Sequence, residues 1–205
     1  MMPKTILWLG LALLTVLPAQ ALELHKIDAS HSVITFEVRH LISKVRGNFS
    51  DFEGTIYLDA EDPARSRVEF FIVAKSISTN LEKRDKHLRS EEFFWVEKYP
   101  QISFRSSAIE AVSEELYNVT GTLTLRGVEK EIVLPVSYFG QVDDPWGNRK
   151  AGFATTITLN RKDFNMVWNA TLDKGGLLLG DEVKLSIDLE TIRLETDDEE
   201  DDDSS

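Results

Sequence analysis

From residue 32 onward the dominant pattern is alternation of apolar and polar side chains, which predicts half-buried strands. Over residues 32–40, Ile34, Phe36, Val38 and His40 share one face, and Thr35, Glu37 and Arg39 the other. Gly54, Ile56 and Leu58 alternate with Thr55, Tyr57 and Asp59, and Glu61-Asp62-Pro63 follows as a turn. Residues 68–74 are apolar on both faces, which predicts a strand covered twice, with the helical stretch that follows as its second cover. Ile102 and Phe104 begin a fourth row, and Tyr117, Val119, Gly121, Leu123 and Leu125 form a fifth that Gly127 closes in a turn. Ile132, Leu134, Val136 and Tyr138 form a sixth, in which Pro135 marks an edge-like position or a bulge. After a turn at 143–148, Phe153, Thr155, Ile157 and Leu159 make a seventh row, Asn160 caps a short turn at 161–163, and Val183, Leu185, Ile187 and Leu189 make an eighth. The stretch 166–180, with Gly175-Gly176 and Gly180, carries no periodicity and reads as a long loop.

One segment departs from this pattern. Thr79 followed three residues later by Glu82 is a capping box, so a helix is expected to begin there. At helical spacing Leu81 and Leu88 share a stripe that Arg84 and Asp85 border, while Glu82, Lys83, Lys86 and Arg89 point away. Glu82 with Lys86 and Asp85 with Arg89 are expected as i, i+4 pairs. Phe93, Phe94 and Trp95 follow at once, and three adjacent aromatics should cap something apolar. The helical segment is therefore set at about 79–95.

Eight evenly spaced strands with one apolar face each fit a sandwich or a closed barrel. The presumed inner rows mix large residues (Phe36, Phe70, Phe104) with small ones (Gly54, Ala74, Gly121), as a tapering, incompletely filled lumen requires. That favours a mainly β chain folded as an eight-stranded antiparallel barrel, with the short helical segment near its mouth; such a barrel is wide enough for one slender ligand.

Composition narrows the class. The 205 residues are 42% hydrophobic and contain no Cys, which allows one domain with a sizeable core and excludes a disulfide framework. Lys4, the apolar run 6–17, Pro18 and Ala19-Gln20-Ala21 read as a signal peptide over residues 1–21, cleaved near Ala21, with export of the mature protein. The folded domain is then 22–194. The net charge of −12 argues against a nucleic-acid partner. Eight of the acidic side chains fall within 195–205, which reads as a disordered tail.

Candidate chemistry is sparse. The four histidines, His25, His31, His40 and His87, do not stand at ligand spacing, and no zinc, nucleophile-elbow or phosphate-loop motif is present; neither metal nor cofactor is expected. His40 and His31 are candidates for the ligand site. Arg84 and Asp85 are stronger ones, since charges beside a buried stripe should be paired or used, and a guanidinium near a barrel mouth could grip a phosphate or quinone oxygen. The alternative is that the pair ties the helix to strand ends. The sequons at Asn48, Asn118 and Asn169 could accept glycan in a eukaryotic secretory path and would be coincidence in a bacterium.

Taken together, Ile27-Asp28 with His31-Ser32, Phe36 and His40, Gly47 with Phe49, Arg84-Asp85 with His87-Leu88, Phe93-Phe94 with Tyr99-Pro100, Asp144-Pro145 with Gly147 and Gly152-Phe153, and Gly180-Asp181 resemble the YceI-like family of exported bacterial proteins over residues 24–190. The resemblance implies a lipocalin-like barrel that binds a long polyisoprenoid chain and has no established catalytic chemistry. Leu24 stands where an aromatic is common, and the acidic tail lies outside the family pattern. The expected function is a periplasmic carrier or store of an isoprenoid lipid, with transient membrane contact. Its tail would be lined by Phe36, Val38, Phe70, Ile72, Phe104, Leu123, Leu134 and Ile157, and its head would lie near His40, Arg84 and Asp85. The alternatives are an enzyme on such a lipid, with Asp85 and His40 or His87 as acid and base, and a partner-binding module of an electron-transfer chain.

Overall fold

The computed structural model describes residues 22–171 and 177–195. The expected signal peptide, the Gly175-Gly176 pair and the acidic tail beyond Glu195 lie outside the described residues. Among the described residues the strands are β1 (Glu23–Ile27), β2 (Val33–His40), β3 (Ser43–Phe49), β4 (Phe52–Leu58), β5 (Arg67–Val73), β6 (Ile77–Ser78), β7 (Gln101–Ala111), β8 (Leu116–Leu125), β9 (Val128–Asp143), β10 (Arg149–Asn160) and β11 (Leu179–Leu194), with one α-helix, α1 (Glu82–Arg89). Short 3-10 turns occupy Pro63–Arg65, Ala74–Ser76 and Arg161–Phe164.

All pairings between strands are antiparallel, and the ring closes through β1 and β11. β1 and β2 lie end to end on one edge of β11, opposite residues 191–194 and 179–188 respectively. Likewise β1 pairs with β4 and β2 with β3. Each of these consecutive pairs acts as one bent stave, so the closed barrel has eight staves. The eight alternating rows in the sequence are one per stave; β1 and β3 are the halves the pattern hides. In β1 the buried side chain is His25, with no exposure, and β3 sets Lys44 and Arg46 among Val45, Gly47 and Phe49. A polar residue inside β1, and a glycine among the three inward positions of the short β3, both weaken the period-2 signal.

Turn chemistry follows the sequence. Asp62 accepts from Ala64 N–H at 3.3 Å, Asn160 from Lys162 N–H at 3.0 Å, and Asp144 from the N–H groups of Trp146 and Asn148 at 2.9 and 2.8 Å. Pro135 sits where the β9–β10 ladder ends, at Val136 opposite Thr155. Its carbonyl accepts from the Thr155 hydroxyl at 2.8 Å, so the missing N–H also faces the side where no ladder partner is required.

The helical segment differs from expectation in three ways. α1 is eight residues long and starts after Leu81, which gives no side-chain cap. Asn80 takes a left-handed φ of 59°, turning Thr79 away from the helix start. Thr79 N–H instead donates to Asp85 Oδ1 at 2.8 Å, the Thr79 hydroxyl donates to the same oxygen, and Arg84 Nε and Nη2 donate to Thr79 Oγ1 and O at 2.6 and 2.9 Å. Asp85 and Arg84, not Glu82, close this end. Second, Arg89 does not pair with Asp85. It donates to the carbonyls of Lys75 and Ile77 at 3.0 Å each, reaches Glu82 at 3.4 Å, and so fastens α1 to β6. Third, α1 does not cover the outer face of β5, where Val73 remains 38% exposed; it lies across one end of the barrel. Beyond Arg89 the chain turns rather than continuing as helix, with Trp95 N–H on Ser90 O at 2.8 Å and Trp95 at φ 48°.

An apolar chamber capped by a helix

The barrel interior contains a chamber of about 500 Å³ at the end α1 covers and a smaller one of about 140 Å³ toward the other end. The larger falls within the range of small-molecule sites. Phe70, Phe104, Leu134 and Ile187 border both and form a waist between them. The two phenylalanine rings can lie against the barrel wall because a glycine sits beneath each. A Cβ on Gly54 would come within 2.9 Å of the Phe70 ring and 2.8 Å of Glu69 O, and one on Gly121 within 2.6 Å of the Phe104 ring. The ring thus takes the volume a side chain would have filled, and the rest of the cross-section stays open.

Of the candidate ligand-site residues, Phe36, Val38, His40, Phe70, Ile72, Arg84, Phe104, Leu123, Leu134 and Ile157 all border the larger chamber. Asp85 does not: it is 3% exposed and turned toward Thr79, which takes it away from the head-group position the sequence suggested and from any acid–base pairing with His40 or His87. His31 is elsewhere, on the surface, with Nδ1 2.8 Å from Asp28 Oδ2. Asp28, His31 and Glu190 form a cluster of metal-ligand type, but Lys150 Nζ lies 2.5 Å from Glu190 and 3.5 Å from Asp28, where a cation would sit. The Ser30 hydroxyl, then His31, hold the Asp28 carboxyl well below the usual carboxylate range.

Several chamber residues carried no alternation signal. Phe93 and Phe94 turn inward from the segment after α1, and Phe94 meets Phe49 edge-on at 5.8 Å. His87 stands between Phe93 and Trp168, edge-on to both at 5.0 and 4.8 Å, with Nε2 2.5 Å from Glu92. Trp168 belongs to the unpatterned stretch after residue 166, and Arg161 fixes it there. That guanidinium, 3% exposed, donates to the carbonyls of Gly180, Met166 and Trp168 at 2.8, 2.5 and 2.8 Å and to Asp181 at 3.0 Å. Burial lowers its proton affinity and Asp181 works against that. Only the Asn160 cap preceding Arg161 hinted that the chain turns here, and nothing in sequence marks the arginine as buried.

The arrangement can hold one slender apolar molecule. Polar groups at the chamber, namely His40, Lys83, Arg84, His87 and Arg161, cluster at the α1 end, and the deeper wall is hydrocarbon apart from Ser103. The chamber meets solvent beside Leu81, which borders it and is 52% exposed. The fold places the chain in the class of small antiparallel barrels wide enough to enclose one ligand.

Within that class the chain belongs to the YceI-like family, whose YceI-like domain matches residues 25–191. It is 40% identical over 172 residues to protein YceI of Salmonella newport, covering 82% of this chain and 86% of that one. It is 41% identical over 167 residues to a UPF0312 protein of Pectobacterium carotovorum, covering 81% and 83%. Among solved structures, the Campylobacter jejuni YceI protein is similar at a TM-score of 0.66 and 33% identity, over 77% of this chain and 90% of that one. Burkholderia cenocepacia BcnA shares the fold at a TM-score of 0.71 and 22% identity, over 80% and 98%. A polyisoprenoid-binding domain from Saccharophagus degradans, implicated in plant cell wall breakdown, shares it at 0.63 and 16%, over 83% and 98%.

Proposed function

We propose that this protein is a periplasmic lipid-binding protein that holds a polyisoprenoid or isoprenoid-quinone-like chain in the larger chamber, for transport, storage or sequestration. The observation that carries the reading is the chamber itself: about 500 Å³ of space walled by hydrocarbon, with its few polar groups at one end. A fold that needed only a core would fill this space, since interiors pack to crystal-like density. Taking a carbon to occupy about the 30 Å³ share of a water molecule, the chamber accepts roughly three to four five-carbon units. Burial at about 25 cal/mol per Å² of apolar surface supplies the affinity, and no strong head-group contact is needed. Kinship with a fold whose Saccharophagus degradans relative is described as polyisoprenoid-binding supports the ligand class. Arg84 has two of its nitrogens committed to Thr79, which leaves Nη1 for a head-group oxygen beside His40 and Lys83.

Native mass spectrometry of gently released protein, followed by solvent extraction, tests this. A bound mass that extracts as an unchanged isoprenoid, and rebinding of a polyprenol by the stripped protein, are expected. A bare protein mass with no uptake of polyprenol or quinone would overturn the reading.

A further inference from the structure

Large apolar side chains that a monomeric fold leaves in water are informative when they gather in one place. Here a group of them gathers around the entrance to the larger chamber. Ile42, at the tip of the β2–β3 hairpin, is 95% exposed, and its neighbour Leu41 is 42% exposed. Leu41 N–H donates to Leu178 O at 3.0 Å, which places this tip beside Leu177, 51% exposed. Leu81 is 52% exposed and borders the chamber, and Val167, 65% exposed, stands between the chamber residues Met166 and Trp168. Leu41 also holds a left-handed φ of 50°, a conformation glycine or asparagine would take with less strain, at the turn that sets Ile42 outward.

Along the β2–β3 hairpin and α1 the charge is opposite to that of the chain. The hairpin and α1 present five exposed basic side chains, Arg39, Lys44, Arg46, Lys83 and Lys86, and one exposed acidic one, Glu82, in a protein of net charge −12. Lys44 and Arg46 share the single carboxylate of Glu37, so a positive surplus remains. Apolar side chains interleaved with lysine and arginine are the composition of a surface that lies in the headgroup region of an anionic bilayer.

We propose that this rim docks on anionic membrane surfaces, with Ile42, Leu41, Leu81 and Leu177 entering the headgroup boundary and the basic residues facing lipid phosphates, so that the chamber entrance is pressed against the bilayer. The inference rests on the proposed lipid-binding function and adds where the ligand crosses. An apolar chain then passes from bilayer to chamber without crossing water, whose cost would rise with each methylene exposed.

The test is flotation of the protein, as recovered from an exporting host, with vesicles of phosphatidylcholine alone and with a third phosphatidylglycerol, alongside native mass spectrometry for retained lipid. Binding is expected only to the anionic vesicles and should fall with salt. Ile42→Ser should weaken it about ten-fold, and Lys86→Gln about five-fold. Ile42→Leu should restore it, and retained lipid should be unchanged in every variant. Because Ile42 is almost fully exposed, these variants should fold. Wild-type protein that carries lipid but does not float, or floats equally with Ile42→Ser, overturns the docking inference alone. Self-association abolished by Ile42→Ser, without vesicle binding, overturns it in favour of a second copy as the occupant. Protein that floats but neither carries nor takes up lipid overturns the carrier reading instead.

Discussion

Phe104→Ala reads out the waist between the two chambers. Phe104 is 7% exposed, pairs across the sheet with Phe70 and Leu123, and forms part of the wall of both chambers, with its ring seated over Gly121. Removing a buried phenylalanine ring costs about 3–5 kcal/mol. Here the ring already faces open space on two sides, so fewer packing contacts are lost and the lower end, about 3 kcal/mol, is expected for the lipid-free protein. With a urea dependence of about 2 kcal/mol per molar, the unfolding midpoint should fall by roughly 1.5 M. The same substitution joins a 140 Å³ space to the 500 Å³ one. At about 30 Å³ per carbon-sized group, that admits about five more carbons, one isoprene unit, besides the volume of the ring. Stripped wild-type and variant proteins would be offered polyprenols of graded length in competition and the bound masses compared. The preferred length should increase by at least one unit in Phe104→Ala and return in Phe104→Leu. A variant that loses stability as expected but keeps the wild-type length preference would show that the waist does not bound the ligand. A variant that loses under 1 kcal/mol would show that the ring does not pack as described.

Two other expectations can be checked by unfolding measurements. Arg84→Met keeps the apolar stem but removes the donors to Thr79 Oγ1 and O, so the lipid-free protein should lose about 1–2 kcal/mol; an unchanged midpoint would place the guanidinium's role entirely at the head group. Acid should destabilise the fold through His25, whose imidazole burial pushes below its ordinary value of 6.5, with Glu23 only partly opposing. The unfolded chain then takes up the proton more readily, so stability is complete above pH 6.5 and declines as pH falls below it. His25→Gln should flatten that slope in urea midpoints taken from pH 7.5 to 5, and a wild-type profile flat over that range would contradict the assignment.

The eight staves were legible because each has a long half in which one face meets the lumen and the other water, and burial on one face imposes a period of two. Turns were legible where a single side chain satisfies the backbone, as Asp62, Asp144 and Asn160 do. The wall of the chamber followed from the same rows, since inward residues of a barrel must meet at its axis. What the pattern could not supply was set by contacts distant in sequence. β1 is a strand because β4 and β11 flank it, although its buried residue is a histidine satisfied by Thr191, 166 positions away. Thr79 and Glu82 have the spacing of a capping box, but the left-handed Asn80 gave Thr79 to Asp85 and Arg84 and so removed Asp85 from the site. Trp168 entered the chamber only because Arg161 gathers three backbone carbonyls from either side of an unpatterned loop. Alternation is a local property of a strand facing two solvents, and the sequence carries it; which polar group answers which across the barrel depends on the closed ring of strands, and that only the tertiary structure decides.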